Sequence, residues 1–424
     1  MSLLLGIIGD DITGSTDLAL MLGKNGMPAV QYIGVPQDST PDPVTPAAVV
    51  ALKSRTAPTA EAVAQSLAAC RWLLAKGARQ IFFKYCSTFD STEKGNIGPV
   101  AEALLDETGG GIAVVCPAFP ANARTIYQGH LFVGDQLLSE SGMRYHPLTP
   151  MTDANLVRFL GKQVRSADSV GLVPYPVVRR GPEAIRAALE NLSVQGRRFA
   201  VVDALSDSHL LDIGEACAGL KLITGGSGVA MGLPSNYRKA GLLPIISGLA
   251  EIPRLEGPAA VIAGSCSAAT RGQVRRMAAA CASFRVDPLA LVAGEPVAEK
   301  AVAWAIEALQ KGPVLIFSTD APEAVARAQE SLGPERTGKI VEETLAEITR
   351  RLQEAGVKKW IIAGGETSGA VVEALGIKSL RIGPEIEPGV PWTFSMEPGK
   401  LCLAFKSGNF GAEDFFEKAL AMLP

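Results

Sequence analysis

Short apolar runs, each followed by a loop rich in glycine, serine or aspartate and then by a stretch with helical spacing, recur along the chain. Residues 3–8 run into a polar loop at 10–15 and then into 17–25, where apolar side chains return every three or four positions. Residues 80–83 lead through another polar loop to a helical segment at 98–107. The run 112–115 ends at Cys116-Pro117, and 199–202 and 222–224 read as two further strands. Apolar strands alternating with helices predict an α/β fold with a mainly parallel sheet flanked by helices on both faces. Ligands of such sheets sit beyond the carboxyl ends of the strands, where these loops fall.

Between residues 233 and 257 the pattern breaks. Leu-Pro-Ser-Asn-Tyr, Leu-Pro-Ile-Ile and Ile-Pro-Arg-Leu-Glu-Gly-Pro punctuate a segment with little helical periodicity. Strand, loop and helix then resume at 259–263 and continue through 314–317 and 360–363, with late strands at 379–382 and 401–405. The chain therefore reads as an N-terminal domain over 1–235, a linker over 236–256 and a C-terminal domain over 257–424. The cleft between two such domains is the default place for a small ligand.

Composition narrows the classes. With 424 residues, 47% of them hydrophobic and 20% charged, the chain can bury large cores, which excludes a mainly disordered or fibrous protein. Forty basic against 43 acidic residues leave a net charge of −3, so no broad basic surface is available for a nucleic acid. No apolar stretch approaches the ~18 residues of a membrane span. The opening apolar run has no basic segment before it and meets Asp10-Asp11, which marks a strand and not a signal peptide. Seven dispersed cysteines without a CxxC pair predict reduced thiols and a cytoplasmic protein. The three histidines, His130, His146 and His209, lack metal-ligand spacing, which argues against a structural zinc site.

Several loops could carry chemistry. Gly9-Asp10-Asp11-Ile12-Thr13-Gly14-Ser15-Thr16-Asp17 places three carboxylates within eight positions. Asp10 and Asp11 could accept a proton from a hydroxyl substrate or help to hold Mg²⁺. Alternatively, one of these residues simply caps the helix. Lys84-Tyr85-Cys86-Ser87-Thr88-Phe89-Asp90 combines a cation at a strand end with hydroxyls and a carboxylate, which suits a polyhydroxy anion. Lys53-Ser54-Arg55-Thr56 is a second cationic loop, and Arg124 with Gln128-Gly129-His130 could add a carboxylate clamp. Each alone also reads as a solvated surface charge, and His130 as a structural histidine. Thr224-Gly225-Gly226-Ser227-Gly228 is either an anion nest or a tight turn.

The C-terminal half repeats one loop character at three strand ends: Gly264-Ser265-Cys266-Ser267, Gly364-Gly365-Glu366-Thr367-Ser368-Gly369 and Lys406-Ser407-Gly408-Asn409-Phe410-Gly411. Glycine lets a backbone approach phosphates, and Ser and Thr add donors at a helix start, so together these loops point to a nucleotide. There is no GxxxxGK[ST], no GxGxxG in an opening βαβ unit and no GxSxG elbow. The residues thus describe a two-domain α/β enzyme for an anionic small molecule and a nucleotide. They leave the reaction open.

Asp10-Asp11-Ile12-Thr13-Gly14-Ser15 resembles the opening Asp-Asp-Phe-Thr-Gly-Ala signature of the four-carbon acid sugar kinases, and the three C-terminal loops resemble that family's nucleotide-binding loops. The likeness covers nearly the whole chain, and Ile12 and Ser15 are similar in size to the residues they replace. Residues 84–98 and 117–155, with Tyr127-Gln128-Gly129-His130, most resemble the 3-oxo-tetronate (3-dehydrotetronate) kinase branch. The resemblance implies ATP-dependent phosphorylation of the 4-hydroxyl of a four-carbon sugar acid. The N-terminal domain would hold the acid, the C-terminal domain ATP with Mg²⁺, and the active site would lie in the cleft between them. The family's ATP contacts carry over onto Ser265, Gly364, Gly365, Glu366, Thr367 and Gly408. On this basis Asp10, Asp11 and Lys84 are expected to be catalytic, and Arg55, Ser87, Asp90, Arg124 and His130 to bind the acid. Threonate and erythronate kinases share the loops and remain the nearest alternative. A dehydrogenase would need a dinucleotide fingerprint, and a non-catalytic acid-sugar binding protein would release no ADP. The stereochemical series and the oligomeric state, homo-oligomer included, stay open.

Overall fold

A computed structural model describes residues 2–37, 40–146, 148–245, 248–318, 333–395 and 399–424. Backbone proximity divides the chain into two units, Met1–Leu249 and Ala250–Pro424. Each contains its own mainly parallel sheet with helices between the strands, as the apolar runs predict.

In the first unit the strands are β1 (Leu5–Gly9), β2 (Ala29–Ile33), β3 (Ala47–Ala51), β4 (Gln80–Lys84) and β5 (Ala113–Cys116). They are followed by β6 (Arg124–Tyr127), β7 (His130–Val133), β8 (Gln136–Leu137), β9 (Val170–Val173), β10 (Phe199–Val202) and β11 (Leu222–Gly225). The main sheet runs β2-β3-β1-β4-β11-β5-β10-β9, and every pair in it is parallel. Every residue of β1, β3, β4, β5, β10 and β11 is buried, because helices cover both faces. Gly9 lies opposite Ala51 on one side and Lys84 on the other. The ladder continues past the strand ends: Ser54 N donates to Asp10 O at 3.1 Å, and Asp10 N to Lys84 O at 3.0 Å. Three sequence-distant loops are thereby brought to one edge. The remaining strands, β6-β7-β8, form a separate antiparallel ribbon.

The segment read as a linker begins inside a helix. Residues Leu233–Lys239 are helical, with Pro234 in the first turn, where a missing N–H leaves nothing unsatisfied. Tyr237 is buried in the first unit and donates to Gln80 Oε1 at 3.1 Å, and Arg238 bonds Asn25 O at 2.8 Å. Proline starts this element instead of breaking it. The division of the chain falls after Leu249.

The loop after β11 is a packing device. A Cβ on Gly225 would stand 2.3 Å from Cys116 O, and one on Gly226 2.5 Å from Pro117 O, so only glycine lets the two backbones touch. Ser227, buried at the start of the following turn, donates to Asp17 Oδ2 at 2.5 Å. Gly226 takes φ −78°, so glycine serves here for close packing and not for a turn at positive φ.

The second unit contributes β12 (Ala259–Ala263), β13 (Ala282–Arg285), β14 (Val314–Phe317), β15 (Lys359–Ala363), β16 (Ser379–Glu387), β17 (Val390–Ser395) and β18 (Leu401–Lys406). Their order is β13-β14-β12-β15-β18-β17-β16, parallel as far as β18 and antiparallel beyond it. The strand expected at 379–382 is longer and turns back through Pro388-Gly389 into β17, a hairpin the sequence pattern hid behind Pro391. Trp392, Phe394, Phe415 and Phe416 pack with Val261, Ile361 and Ala404 into the core beneath this sheet. Among the described residues no helix is long and apolar enough to cross a membrane.

Candidate active site

In the first unit the charged loops meet at the carboxyl ends of β3, β1 and β4. Asp11 takes extended backbone angles and caps the helix Ile12–Lys24, accepting from Gly14 N at 3.0 Å and from the Thr13 hydroxyl at 3.0 Å. Cap and charge site are thus the same residue. Asp10, buried, receives both arms of Arg55, Nε on Oδ2 at 2.8 Å and Nη2 on Oδ1 at 2.9 Å. The same guanidinium stands 3.1 Å from Asp11 Oδ1 and 3.7 Å from Asp90 Oδ2. Lys84, also buried, donates to Tyr85 O at 2.8 Å. Its ammonium would lie 2.8 Å from a Cβ placed on Gly14, so Gly14 is what admits Lys84 beside Asp11.

The electrostatics of the two aspartates differ. Burial pushes the Asp10 carboxyl above its ordinary value, against the pull of Arg55. Burial raises Asp11 too, but Arg55, Lys84, the Thr13 hydroxyl and the Gly14 amide together bring it below its ordinary value. Burial works against the charge of Arg55, and Asp10 and Asp11 outweigh it, so the guanidinium stays cationic. Two cations, Arg55 and Lys84, thus stand among three carboxylates, Asp10, Asp11 and Asp90, at one set of strand ends.

Asn96, absent from the sequence expectations, fixes the Arg55 loop. Its amide donates to Ser54 O and to Ala57 O, both at 2.8 Å, and its carbonyl oxygen accepts from the Thr59 hydroxyl at 2.9 Å. Ser87 is half-buried on the loop after β4, and Asp90 accepts from the Thr88 hydroxyl at 2.6 Å. Burial, with Asp90 nearby, holds the Cys86 thiol up at about 12.

Arg124 and His130 stand on the β6–β7 ribbon. Among the described residues no hydrogen bond or ion pair ties either one to Asp10, Asp11, Arg55 or Lys84. Arg124 bonds Asn122 O, and His130 Nδ1 meets Gln128 O at 2.9 Å. Their turn is pinned by a further residue the sequence did not single out. Buried Asp203 accepts from the amides of Gln128, Gly129 and Tyr175 at 2.7, 2.9 and 2.7 Å. Gln128 and Gly129 both take positive φ there.

The second unit holds a cleft of about 280 Å³ at the carboxyl ends of β12 and β15. Gly264, Ser265 and Gly364, Gly365, Glu366 and Thr367 line one side, and Pro288, Ser318, Thr337 and Val341 line the other. Gly364, at φ +130°, and Gly264, where a Cβ would stand 2.2 Å from Thr367 Oγ1, let the Thr367 side chain close in on both loops. The ten-residue helix Gly365–Ala374 starts here without a side-chain cap, so its first N–H groups are available to an anion. Gly408 touches this cleft's loops from β18: a Cβ there would stand 2.4 Å from Ser265 Oγ. The helix Pro334–Glu354 supplies Thr337 and Val341 to this wall, residues that the sequence reading did not single out.

Comparison with known proteins fits this division. A family model described as a sugar-binding N-terminal domain matches residues 5–233, and one described as a nucleotide-binding C-terminal domain matches 260–416. A 3-oxo-tetronate kinase of Burkholderia multivorans is 58% identical over 420 residues, spanning 99% of this chain and 97% of its own. A protein of the same description from Cupriavidus necator is 55% identical, with 99% and 97% covered. A solved Haemophilus influenzae structure of the DUF1537 family is 43% identical with TM-score 0.78, covering 99% of this chain and 100% of that one. A Salmonella typhimurium structure described as a putative tRNA synthase reaches TM-score 0.85 at 42% identity, with 99% of each chain covered. Its description names a different activity, but the curated relatives agree among themselves at higher identity. With a sugar-binding and a nucleotide-binding model together spanning most of its length, the chain belongs to the four-carbon acid sugar kinase (DUF1537) family.

Proposed function

We propose that this protein is an ATP-dependent kinase that phosphorylates the 4-hydroxyl of 3-oxo-tetronate. The observation that carries the reading is the convergence of Arg55, Asp10, Asp11 and Lys84 in the domain matched as sugar-binding. The glycine-lined cleft in the domain matched as nucleotide-binding supplies the other half. The whole-length kinship with 3-oxo-tetronate kinases supports the choice of acid.

The sugar acid would enter the recess beside Arg55, with hydroxyls bonding Asp11 and Asp90 and the anionic charge facing Arg55 and Lys84. Ser265, Gly364, Gly365, Glu366, Thr367 and Gly408 would hold ATP, its phosphates on the amides that open the helix Gly365–Ala374. Phosphoryl transfer of this kind depends on alignment and charge neutralisation more than on a strong base. Asp11, less buried than Asp10 and held ionised, is suited to orient the attacking hydroxyl and take its proton. Asp10 serves to hold Arg55. Lys84 would offset the negative charge that moves toward the acceptor. Mg²⁺ ordinarily binds one or two carboxylates together with phosphates. Glu342 and Glu366 on the cleft wall would hold it, where it would neutralise nucleotide charge. Arg124 and His130, on their ribbon, remain candidates for selecting the acid. The transfer requires the held hydroxyl and the γ-phosphoryl group to come into line.

The test is ADP release measured over a panel of four-carbon acids with saturating ATP. Turnover with a 3-oxo-tetronate, and little with D-threonate or D-erythronate, is the expected result. Preference for a threonate or erythronate would move the assignment to that branch. No ADP release with any of them would leave a binding protein.

A further inference from the structure

Lys406 closes β18 and has no exposed surface. Its Nζ donates to Thr270 Oγ1 at 3.0 Å, Ser407 O at 3.0 Å and Gly408 O at 2.9 Å. These three oxygens match the three N–H bonds of an ammonium, and none belongs to a carboxylate. The carboxylate that acts on it is Glu387 of β16, and Glu387 is already engaged by Lys418 at 2.6 Å and the Ala412 amide at 2.7 Å. Burying a cation among neutral oxygens is costly, and here burial lowers the ammonium to about 7. Nothing in the packing of a sheet end demands such a residue.

The neighbours indicate what it does. The Gly408 carbonyl receives Lys406 Nζ, the Thr270 hydroxyl at 2.9 Å and the Ser267 hydroxyl at 2.5 Å. Ser267 in turn caps the helix Ala268–Ala278. Gly408 packs on Ser265, which lines the cleft. One buried ammonium thus ties together two of the three glycine loops. We infer that Lys406 is a positioning residue for nucleotide binding: through its bonds to Thr270, Ser407 and Gly408 it holds the Gly408 loop against Ser265. The inference rests on ATP occupying the Gly264–Thr367 cleft.

The experiment measures KM for ATP at saturating acid and KM for the acid at saturating ATP in Lys406→Met, Thr270→Val and Gly365→Val, after thermal melts confirm folding. Lys406→Met is expected to raise KM for ATP tenfold or more and leave KM for the acid within twofold. Thr270→Val, which keeps the charge and removes its hydroxyl partner, is expected to raise KM for ATP by less. A Cβ on Gly365, which lines the cleft, would meet no protein atom within 4 Å, so Gly365→Val reports on the site itself. A folded Lys406→Met protein with KM for ATP within twofold of wild type, beside a raised value in Gly365→Val, overturns the role of Lys406. An unchanged KM for ATP in Gly365→Val overturns the placement of ATP instead. Should Lys406→Met not fold, an unchanged KM for ATP in Thr270→Val overturns the inference.

Discussion

Arg55 reaches from the loop after β3 to Asp10 at the end of β1 and grips both carboxylate oxygens, at 2.8 and 2.9 Å. The parallel register that sets Gly9 opposite Ala51 makes this pairing across 45 residues unavoidable once the sheet forms. With its other contacts to Asp11 and Asp90, the guanidinium is the hub of the proposed acid-binding recess.

Removing that hub should be severe. Arg55→Ala leaves the buried Asp10 carboxyl without its partner, and kcat/KM for the acid is expected to fall by about 100-fold or more, some 3 kcal/mol. Arg55→Lys offers one ammonium where two parallel bonds are needed and should recover only a small part. Coupled ADP-release kinetics check both, and near-normal efficiency in Arg55→Lys would remove the argument for a fork.

Asn96 acts on the same site from behind. Asn96→Asp places an oxygen against the carbonyls of Ser54 and Ala57, and leaving such buried groups unpaired costs about 1–3 kcal/mol. Urea unfolding should show that loss of stability, and KM for the acid should rise as Arg55 shifts. KM for ATP should stay constant, so equal changes in both constants would point to general unfolding.

Gly14 separates activity from stability. It lies inside the helix Ile12–Lys24, where alanine is favoured over glycine by about 0.8–1 kcal/mol. The added Cβ would meet Asp11 Oδ1 at 2.4 Å and Lys84 Nζ at 2.8 Å. Gly14→Ala is therefore expected to lose at least tenfold in kcat with little change in melting temperature. Full activity would show that Asp11 and Lys84 need not stand where they do.

Lys406 predicts a pH slope. Its ammonium, lowered to about 7 from 10.5, gives the folded protein fewer bound protons than the unfolded chain between those values. Stability from this group therefore rises with pH across that window, by up to about 1.4 kcal/mol per unit, and levels off on either side. Denaturation of wild type and Lys406→Met at pH 7, 8 and 9, without nucleotide, should show a difference between them that shrinks as pH rises if the methionine form is the more stable. A difference independent of pH would contradict it.

What the sequence disclosed was mostly local. The apolar run ending in Asp10-Asp11 announced a strand, a loop and a charge site in consecutive residues, and all three C-terminal glycine loops fall at strand ends. What it hid was register. Ala-Ala-Val-Val-Ala at 47–51 reads as neutral between helix and strand, so nothing marked β3 as the neighbour that delivers Arg55 to Asp10. Asn96 and Asp203 act through backbone groups far away in sequence and leave no local pattern. The charge of Arg124 and His130 is visible in the sequence, while their place on a separate ribbon is not. Lys406 was visible as a loop residue, but its burial depends on Thr270, 136 positions earlier.

In each sheet a strand made late in the chain lies inside: β11 between β4 and β5, and β18 between β15 and β17. During synthesis the first sheet stays split until residue 222 has emerged, and the second until residue 401. A translation product arrested before that point would carry β15 with a bare edge, an invitation to mispairing. It would also lack Lys406 and Gly408, the loop that packs on Ser265 at the cleft. The order of the strands thus makes the pairing of the β15 edge and the packing that Gly408 lends to the cleft late products of synthesis.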